Sequence, residues 1–326
     1  MIKKYSLGKI GPEVGCLGYG AMGLEGYYGN SDDDQAVETI RHAVEAGMMI
    51  DSADAYGAGH NERLIGRAIK GLRDPAFVAT KFGIVFDEQE TGTDLPTGWG
   101  FSLKLNGRPE YVHKAIDDSL ERLDREVVDL LYLHYPDPST PIEDTVSAMA
   151  EAVNKGKVRY LGLSNVTAEH VRQAHAIHPM TAVQYEYSLW RREAEIDLLP
   201  TLRELGIALV AWSPLGSGFL TGTVGKLNQN DFRQNNPRFN AENLAGNRTR
   251  FEPFMDLAQE VDVTPAQLAL AWLLHQGQDI FPIPGTRRTE RIDENARAAK
   301  IMLDPANLQR INTIARPGLA EGATLL

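Results

Sequence analysis

The sequence predicts an α/β fold, a (β/α)₈ TIM barrel with a short N-terminal β-hairpin and long loops over its C-terminal mouth. Two observations predict this fold. Short apolar segments alternate with amphipathic helical segments along most of the 326 residues, as in repeated βαβ units. Almost every apolar segment also ends in a polar or small residue, and in a barrel these ends surround one opening. Because a barrel of this length is one domain, we expect a single domain over residues 1–326.

The strands are predicted from apolar segments of strand length bounded by turn residues. A hairpin is expected over residues 3–14, with its turn between Gly8 and Pro12. Eight barrel strands follow it along the chain. They are residues 16–20, 48–51, 77–81, 128–134, 160–164, 182–185, 208–213 and 280–284.

Helical segments separate these strands. Ser31 is predicted to cap a helix over residues 32–46, whose acidic first turn suits the helix dipole. Thr264 to Gln267 has the pattern of a capping box with proline at the first helical position, so a helix is expected to reach His275. The remaining assigned helices are residues 62–70, 109–123, 142–155 and 289–299.

The polar ends of the strands favour a closed barrel over a doubly wound open sheet. In a barrel these residues meet at one mouth, whereas in an open sheet most of them lie far from any shared site. In chain order they are Asp51, Lys81, His134, Ser164-Asn165, Gln184, Ser213 and Gly285-Thr286.

Two connections, residues 83–108 and 216–250, are too long for plain loops between a strand and a helix. Both follow strands, so both are expected to overhang the mouth. Long loops in that place are usually lids or substrate walls.

Composition excludes several classes of protein. A net charge of −11 argues against a nucleic-acid-binding protein, which needs a basic face. The single cysteine, Cys16, fits a reducing cytoplasm. The N-terminus lacks the apolar segment of a signal peptide, and no apolar run approaches the roughly 20 residues of a membrane span. A cytoplasmic protein without membrane or nucleic-acid partners is therefore expected.

The segment from Gly18 to Gly23 matches the G-x-G-x-x-G pattern of dinucleotide-binding Rossmann folds. That mechanism requires a helix to start within the motif, and here a loop is predicted up to Ser31. The acidic residue expected about 20 residues later is also missing. We interpret the glycines as allowing the first strand to lie close to a ligand at the mouth.

Four side chains at the mouth have the chemistry that carbonyl reduction requires. A phenol with a pKa of about 10 is a weak acid, and a nearby ammonium lowers that pKa. Tyr56 is the candidate phenol and Lys81 the candidate ammonium. Asp51 is expected to hold Lys81 charged, and a neutral His134 to donate a hydrogen bond to the substrate oxygen.

A second cluster predicts an anion site. A strand ends at Pro284, a short loop follows, and a helix is expected from Thr289, whose free N–H groups favour negative charge. Arg287, Arg288 and Arg291 add three guanidinium groups suited to phosphate. This cluster predicts a preference for NADP(H) over NAD(H), because a 2′-phosphate would give the arginines a partner.

Taken together, these motifs resemble the aldo-keto reductase family. The similarity extends from about residue 11 to residue 295 and is greatest to the branch containing perakine reductase and pyridoxal reductase-like enzymes. Its segments are Asp51-Ser-Ala-Asp-Ala-Tyr56-Gly57, Val78-Ala-Thr-Lys81, Asp129-Leu-Leu-Tyr-Leu-His134, Gly162-Leu-Ser-Asn165, Gln184-Tyr-Glu-Tyr-Ser188, Ala211-Trp-Ser-Pro-Leu-Gly216 and Ile283-Pro-Gly-Thr-Arg287, with Arg291, Glu294 and Asn295.

The resemblance implies an NADP(H)-dependent oxidoreductase that acts on a small aldehyde or ketone as a monomer or simple homo-oligomer. It implies that Tyr56 is the general acid, with Asp51, Lys81 and His134 as partners, and that Trp212 stacks on the nicotinamide. Met22 stands where some relatives have tryptophan, which leaves substrate preference open. The residues implied to bind the cofactor are Gly20, Ala21, Met22, Asp51, Ser164, Asn165, Gln184, Trp212, Ser213, Pro214, Leu215, Gly216, Ser217, Gly285, Thr286, Arg287, Arg291, Glu294 and Asn295.

A regulatory subunit and a metal-dependent hydrolase are the functions that compete with a reductase. A regulatory subunit of the same fold with little turnover is the alternative, although all four catalytic residue types are present. A metal-dependent hydrolase needs clustered histidines and acids at strand ends, and His170, His175 and His178 have the spacing of a surface helix instead, so no metal site is expected. Aromatic residues in and beside the long loops weakly favour an apolar or aromatic carbonyl substrate. They are Phe82, Phe86, Trp99, Phe101 and Phe219.

Overall fold

The computed structural model describes residues 2–72 and 75–325, which form a barrel of parallel strands surrounded by helices. An antiparallel hairpin precedes the barrel, and a second hairpin lies within it in sequence. In this part of the chain the strands are β1 (Lys4–Ser6), β2 (Glu13–Gly15), β3 (Gly18–Gly20), β4 (Met49–Asp51), β5 (Val78–Phe82), β6 (Thr93–Pro96), β7 (Ser102–Leu105), β8 (Val128–Leu133), β9 (Val158–Ser164), β10 (Ala182–Glu186), β11 (Ala208–Trp212) and β12 (Ile280–Pro282).

The helices cover the outer face of the barrel, and short 3₁₀ helices occupy several loops at its mouth. Within the described residues the α-helices are α1 (Asp33–Glu45), α2 (His60–Ile69), α3 (Pro109–Leu123), α4 (Ile142–Asn154), α5 (Ala168–Ile177), α6 (Leu198–Leu205), α7 (Ala241–Glu260), α8 (Pro265–Leu274), α9 (Thr289–Arg297) and α10 (Pro305–Ile314). None of these helices is long and apolar enough to cross a membrane.

The barrel sheet has the strand order β12-β11-β10-β9-β8-β5-β4-β3, and all of its pairs are parallel. Its two edges approach each other where Gly20 N–H donates to the carbonyl of Pro284 at 3.4 Å. A Cβ atom on Gly20 would lie 2.8 Å from the carbonyl oxygen of Ile283, and one on Gly285 would lie 2.7 Å from that of Gly20. Only glycine fits this close approach of two backbones.

This seam gives Gly20 of the G-x-G-x-x-G segment a structural role that the sequence did not predict. Gly20 lets the two edges of the sheet meet, and it also lines the mouth, where the sequence predicts a ligand. The prediction of a plain loop after β3 is wrong, because a 3₁₀ helix, Ala21–Glu25, begins inside the motif. That helix spans five residues and ends at Gly26 in a left-handed conformation.

Two apolar layers stabilise the fold. The outer layer lies between the sheet and the helices and contains most of the buried aliphatic side chains. The inner layer fills the barrel with residues such as Met49, Leu130 and Phe281. Leu7 and Val14 of the N-terminal hairpin join the inner layer, so the hairpin closes the end of the barrel opposite the mouth.

The structure confirms the predicted barrel and each of its eight strands, with small shifts at their ends. The capping box at Thr264 and Gln267 is present. The predicted cap at Ser31 is wrong, because the side chain of Asp32 accepts the hydrogen bond from Gln35 N–H at 3.0 Å.

Both long connections lie at the mouth, but neither is simply irregular. Residues 83–108 contain the hairpin of β6 and β7. Residues 216–250 contain three 3₁₀ helices and the first half of α7, which the sequence analysis did not predict.

Candidate active site

The four predicted catalytic residues lie together at the carboxyl ends of neighbouring strands. Asp51 is the last residue of β4, Lys81 the fourth residue of β5, and His134 directly follows β8. Tyr56 begins a 3₁₀ helix, Tyr56–Gly59, in the loop after β4. The parallel register of β4, β5 and β8 therefore brings Asp51, Lys81 and His134 to one point at the mouth, and the loop after β4 brings Tyr56 to the same point.

Lys81 is the centre of this group. Its Nζ atom donates to Asp51 Oδ1 and to the carbonyl oxygen of Ser52, both at 2.6 Å. It also lies 3.3 Å from the hydroxyl oxygen of Tyr56. The side chains of Lys81 and Asp51 are 1% and 3% exposed, so the ammonium is buried behind Tyr56 and Asp51, which line the mouth.

Burial shifts both members of the ion pair toward neutrality. It raises the pKa of Asp51 and lowers the pKa of Lys81, while their mutual attraction opposes both shifts. The short contact between them and the second acceptor on Lys81 favour the charged pair.

The prediction that the pKa of Tyr56 lies below that of a free phenol is wrong. The pKa of Tyr56 is raised well above that of a free phenol, mainly by burial and further by the charge of Asp51. Because Asp51 lies 2.6 Å from Lys81, it compensates the ammonium charge that the tyrosine would otherwise feel. Tyr56 therefore stays protonated at neutral pH.

His134 is neutral, because burial, reinforced by Lys81, lowers its pKa well below the ordinary value. Its Nδ1 atom is buried and has no hydrogen-bond partner among the described residues. A buried nitrogen lone pair without a donor costs less free energy than a buried N–H without an acceptor. We therefore place the proton of the neutral ring on Nε2. The ring meets that of Tyr56 edge-on, with centroids 5.9 Å apart.

Amide side chains form the next part of the wall. Gln184 Nε2 donates to Asp51 Oδ2 at 2.6 Å, which links this amide to the Lys81 pair. Asn165 Nδ2 donates to Ser164 Oγ at 2.9 Å, and its Oδ1 accepts from Trp212 Nε1 at 3.2 Å. These bonds hold the amides and the indole in one arrangement beside Tyr56.

All these groups except Lys81, which lies behind Tyr56 and Asp51, border one cavity of about 960 Å³ that extends from Tyr56 and His134 to the loop after β12. Of the residues implied to bind a cofactor, Ala21 and Gly216 do not line it, because Ala21 is fully buried and Gly216 packs on the ring of Trp190. The others do line it. They are Gly20, Met22, Asp51, Ser164, Asn165, Gln184, Trp212, Ser213, Pro214, Leu215, Ser217, Gly285, Thr286, Arg287, Arg291, Glu294 and Asn295.

The three arginines at the far end of the cavity differ in their contacts. Arg287 donates to the backbone carbonyls of Tyr28 and Asn30, so its guanidinium joins two loops. Arg291 forms an ion pair with Glu294 on the next turn of α9. Arg288, which the resemblance did not assign, also lines the cavity directly before α9 begins.

Sequence reasoning missed several residues of the cavity wall. Tyr27 and Tyr28 come from the glycine-rich loop after β3, whose position after a barrel strand was the available signal. Phe232 and Leu325 had no comparable signal. Among the aromatic residues named from sequence, Phe86, Trp99 and Phe101 line the cavity, whereas Phe82 and Phe219 are buried in the core.

The positions of Trp190 and of the three histidines of residues 170–178 place them outside the cavity. Trp190 is buried and stacks on the ring of Phe219, with centroids 4.2 Å apart, so it packs beneath the loop after β11. His170 and His175 lie on α5, with His178 as its C-cap. Residues 2–72 and 75–325 contain no group of three side chains suited to hold a metal ion.

Comparison with known proteins gives consistent matches. The sequence profile of the Aldo/keto reductase family matches residues 16–316. The chain is 44% identical to a probable aldo-keto reductase 1 from Glycine max, over 95% of this chain and 88% of that protein. It superimposes on a glycerol dehydrogenase from Gluconobacter oxydans with a TM-score of 0.84 and 27% identity, covering 95% and 94% of the two chains. An aldo/keto reductase from Klebsiella pneumoniae, solved with NADP and acetate, has the same fold, with a TM-score of 0.73, 24% identity and coverage of 97% and 96%.

Proposed function

We propose that this chain, which belongs to the aldo/keto reductase family, catalyses the reversible NADPH-dependent reduction of an aldehyde or ketone to an alcohol. The observation that carries the proposal is the contact between Lys81 and both Asp51 and Tyr56 at the mouth of the barrel. This contact places a protonated phenol, backed by a buried ammonium, against a cavity large enough for two ligands.

The residues supply the proton and orient the carbonyl group. His134 donates from Nε2 to the substrate oxygen and fixes its position beside the Tyr56 hydroxyl. NADPH, when bound, supplies the hydride, which adds to the carbonyl carbon and leaves the carbonyl oxygen as an alkoxide. Tyr56 then gives its proton to the alkoxide oxygen, and Lys81 stabilises the phenolate that remains.

The raised pKa of Tyr56 is compatible with this role. An alkoxide is a much stronger base than a phenolate, so proton transfer from Tyr56 is favourable even though burial makes the phenol a weak acid. A phenol that is fully protonated at neutral pH is always ready to donate. After this proton transfer Tyr56 is a phenolate. It takes a proton from water before the next cycle.

The residues of the cavity suit a nicotinamide dinucleotide. Ser164, Asn165 and Gln184 offer amide and hydroxyl groups for a carboxamide, and Trp212 offers an aromatic face. At the far end, the N-terminus of α9 together with Arg288 and Arg291 suits phosphate. The volume of about 960 Å³ is near the upper limit of ordinary ligand pockets, roughly 1,000 Å³.

We propose NADP(H) over NAD(H) because the basic cluster exceeds what a pyrophosphate needs. Replacing Arg288 or Arg291 by alanine should raise the dissociation constant of NADPH by about tenfold, since a bond to a charged group contributes about 1.5–3 kcal/mol. The dissociation constant of NADH should change much less. Equal losses for both cofactors, measured by fluorescence titration, would contradict the preference.

The decisive experiment is NADPH oxidation across a panel of aldehydes and ketones, with Tyr56→Phe as the comparison. Loss of the general acid should lower kcat by about 10²–10⁴-fold while NADPH still binds. Turnover that survives the substitution would assign the proton donor elsewhere. A regulatory subunit of the same fold would instead bind NADPH and show no turnover with any carbonyl compound.

The finer assignments belong to the same proposal. We propose membership of the perakine reductase and pyridoxal reductase-like branch. The single cysteine, Cys16, is buried and supports a cytoplasmic location. We propose one domain acting as a monomer or simple homo-oligomer, which size-exclusion chromatography with light scattering tests directly.

A further inference from the structure

Four aromatic rings from three separate segments meet at the mouth of the cavity, and we call them the aromatic box. Phe232 is at its centre, with ring centroids 5.6 Å from Tyr27, 5.6 Å from Trp99 and 6.1 Å from Phe101. All three contacts are edge-on or tilted, with interplanar angles of 68°, 54° and 60°. Such arrangements stabilise an aromatic cluster beyond the burial of its surface.

The aromatic box belongs to the same cavity as Tyr56 and His134. All four of its rings line that cavity, as do Phe86 and Leu325. Phe232 N–H donates to the carbonyl of Tyr27, whereas Arg287 donates to that of Tyr28, so the box and the arginine contact neighbouring residues of the loop after β3. Tyr27 is also close enough to Tyr56 to raise its pKa, so the box borders the catalytic end of the cavity.

Arg233, which follows Phe232 of the box in sequence, is engaged elsewhere. Arg233 uses Nε and Nη2 to bind Asp231, and its Nη1 donates to the carbonyl of Ser217. At the floor of the cavity, Asp51 is paired with Lys81. A charged group on a ligand placed against the four rings would lose water, which is costly, and Arg233, the charged neighbour of Phe232, is already paired.

The C-terminal segment, residues 321–325, is the remaining wall and is held at both ends. Glu321 N–H donates to Asn247 Oδ1 at 2.8 Å, and Asn247 Nδ2 returns a bond to the carbonyl of Glu321 at 3.0 Å. At the other end, Gly98 N–H in the turn between β6 and β7 donates to the carbonyl of Leu325 at 2.8 Å.

This second attachment requires glycine at position 98. A Cβ atom there would lie 2.2 Å from the carbonyl oxygen of Thr324, so any side chain would push the segment away from the hairpin. Trp99 and Phe101 stand on the same turn, which means that the attachment of Leu325 also positions half of the aromatic box.

We infer that this enzyme acts on carbonyl compounds with an uncharged aromatic body, which the aromatic box and the C-terminal segment hold while the carbonyl group lies at Tyr56 and His134. The inference rests on the proposed function and names its substrate class. It makes Phe232 and Gly98 determinants of specificity, Phe232 by contact and Gly98 by fixing the wall.

Binding of unreactive amides tests the inference without any need for turnover. Isothermal titration in the presence of NADPH should show 4-methylbenzamide binding at least about tenfold more tightly than propionamide, given the ring contacts on offer. It should also show 4-carboxybenzamide, which adds a carboxylate at the far end of the ring, binding at least about tenfold more weakly than 4-methylbenzamide. Equal binding of the three amides would overturn the inference.

The variants assign this selectivity to particular residues. Phe232→Ala should reduce the preference for 4-methylbenzamide over propionamide by about tenfold, whereas Phe232→Leu, which retains most of the volume, should lose less. Gly98→Ala and deletion of residues 323–326 should each reduce the preference for 4-methylbenzamide over propionamide by about tenfold as well. Gly100→Ala is the control for strain within the turn, because Gly100 is in the same turn and its φ of +83° strains an alanine, but a Cβ atom there meets nothing within 4 Å.

Two results would contradict the assignment. A uniform loss for both amides in Phe232→Ala would mean that Phe232 only supports the loops. An equal loss in Gly98→Ala and Gly100→Ala would mean that the turn, and not its bond to Leu325, determines the wall. The matched aldehydes then separate this inference from the proposed function, since selective amide binding without aldehyde turnover would contradict only the latter.

Discussion

The buried pair of Asp51 and Lys81 allows a double-variant experiment with an expected magnitude. At an effective dielectric constant of about 20, the attraction across their 2.6 Å separation is about 6 kcal/mol. Desolvation offsets part of this, as the opposite pKa shifts of the two groups indicate. Removing one partner of such a pair typically costs about 3–5 kcal/mol of stability, because the other charge is left buried.

The expected results follow from the geometry. Asp51→Asn and Lys81→Met should each lower the free energy of unfolding by about 3 kcal/mol, the lower part of that range. The double variant should be destabilised by clearly less than the sum, because no unpaired charge remains. Each single variant should also lower kcat by about 10²-fold or more, since both act on Tyr56. The double variant should be no slower than the slower single variant.

Denaturant unfolding monitored by tryptophan fluorescence gives the three stability differences, and steady-state NADPH oxidation gives the rates. The reasoning predicts strong coupling in both quantities. Additive losses of stability, with a coupling energy within about 0.5 kcal/mol of zero, would refute the ion pair as a buried charged unit. Additive losses of kcat would refute the idea that Asp51 acts through Lys81.

Three further predictions use the same structure. Because the pKa of Tyr56 is raised, its acid form persists to higher pH, so kcat for reduction should stay constant up to at least about pH 9, and a decline centred near neutrality would contradict this. Glu62 is fully buried and pairs with Arg122 at 2.6 Å, so Glu62→Gln should lower the free energy of unfolding by about 3 kcal/mol in denaturant titration. Gly20→Ala should lower the free energy of unfolding by about 1–3 kcal/mol, because its Cβ atom would push the two edges of the barrel apart at Ile283. An unchanged midpoint of thermal unfolding would contradict this.

The sequence by itself determined the barrel and the identity of the reacting groups. Apolar segments of strand length with polar ends predicted eight strands, and a parallel register necessarily brings such ends to one mouth. Asp51, Lys81 and His134 are therefore placed by local pattern alone. Tyr56 was predicted from its place in the loop after Asp51 and from the chemistry of a phenol beside an ammonium. The resemblance to a family added the cofactor residues, most of which line the cavity.

Only the tertiary structure decided the electrostatics and the walls. The pKa of Tyr56 depends on burial and on the distance between Asp51 and Lys81, and neither is visible in a sequence pattern. The aromatic box joins residues as far apart as Tyr27 and Phe232, and the C-terminal segment meets the hairpin at Gly98. Loop contacts of this kind have no periodicity, because they arise from packing between distant segments and not from the repeat of a strand or helix.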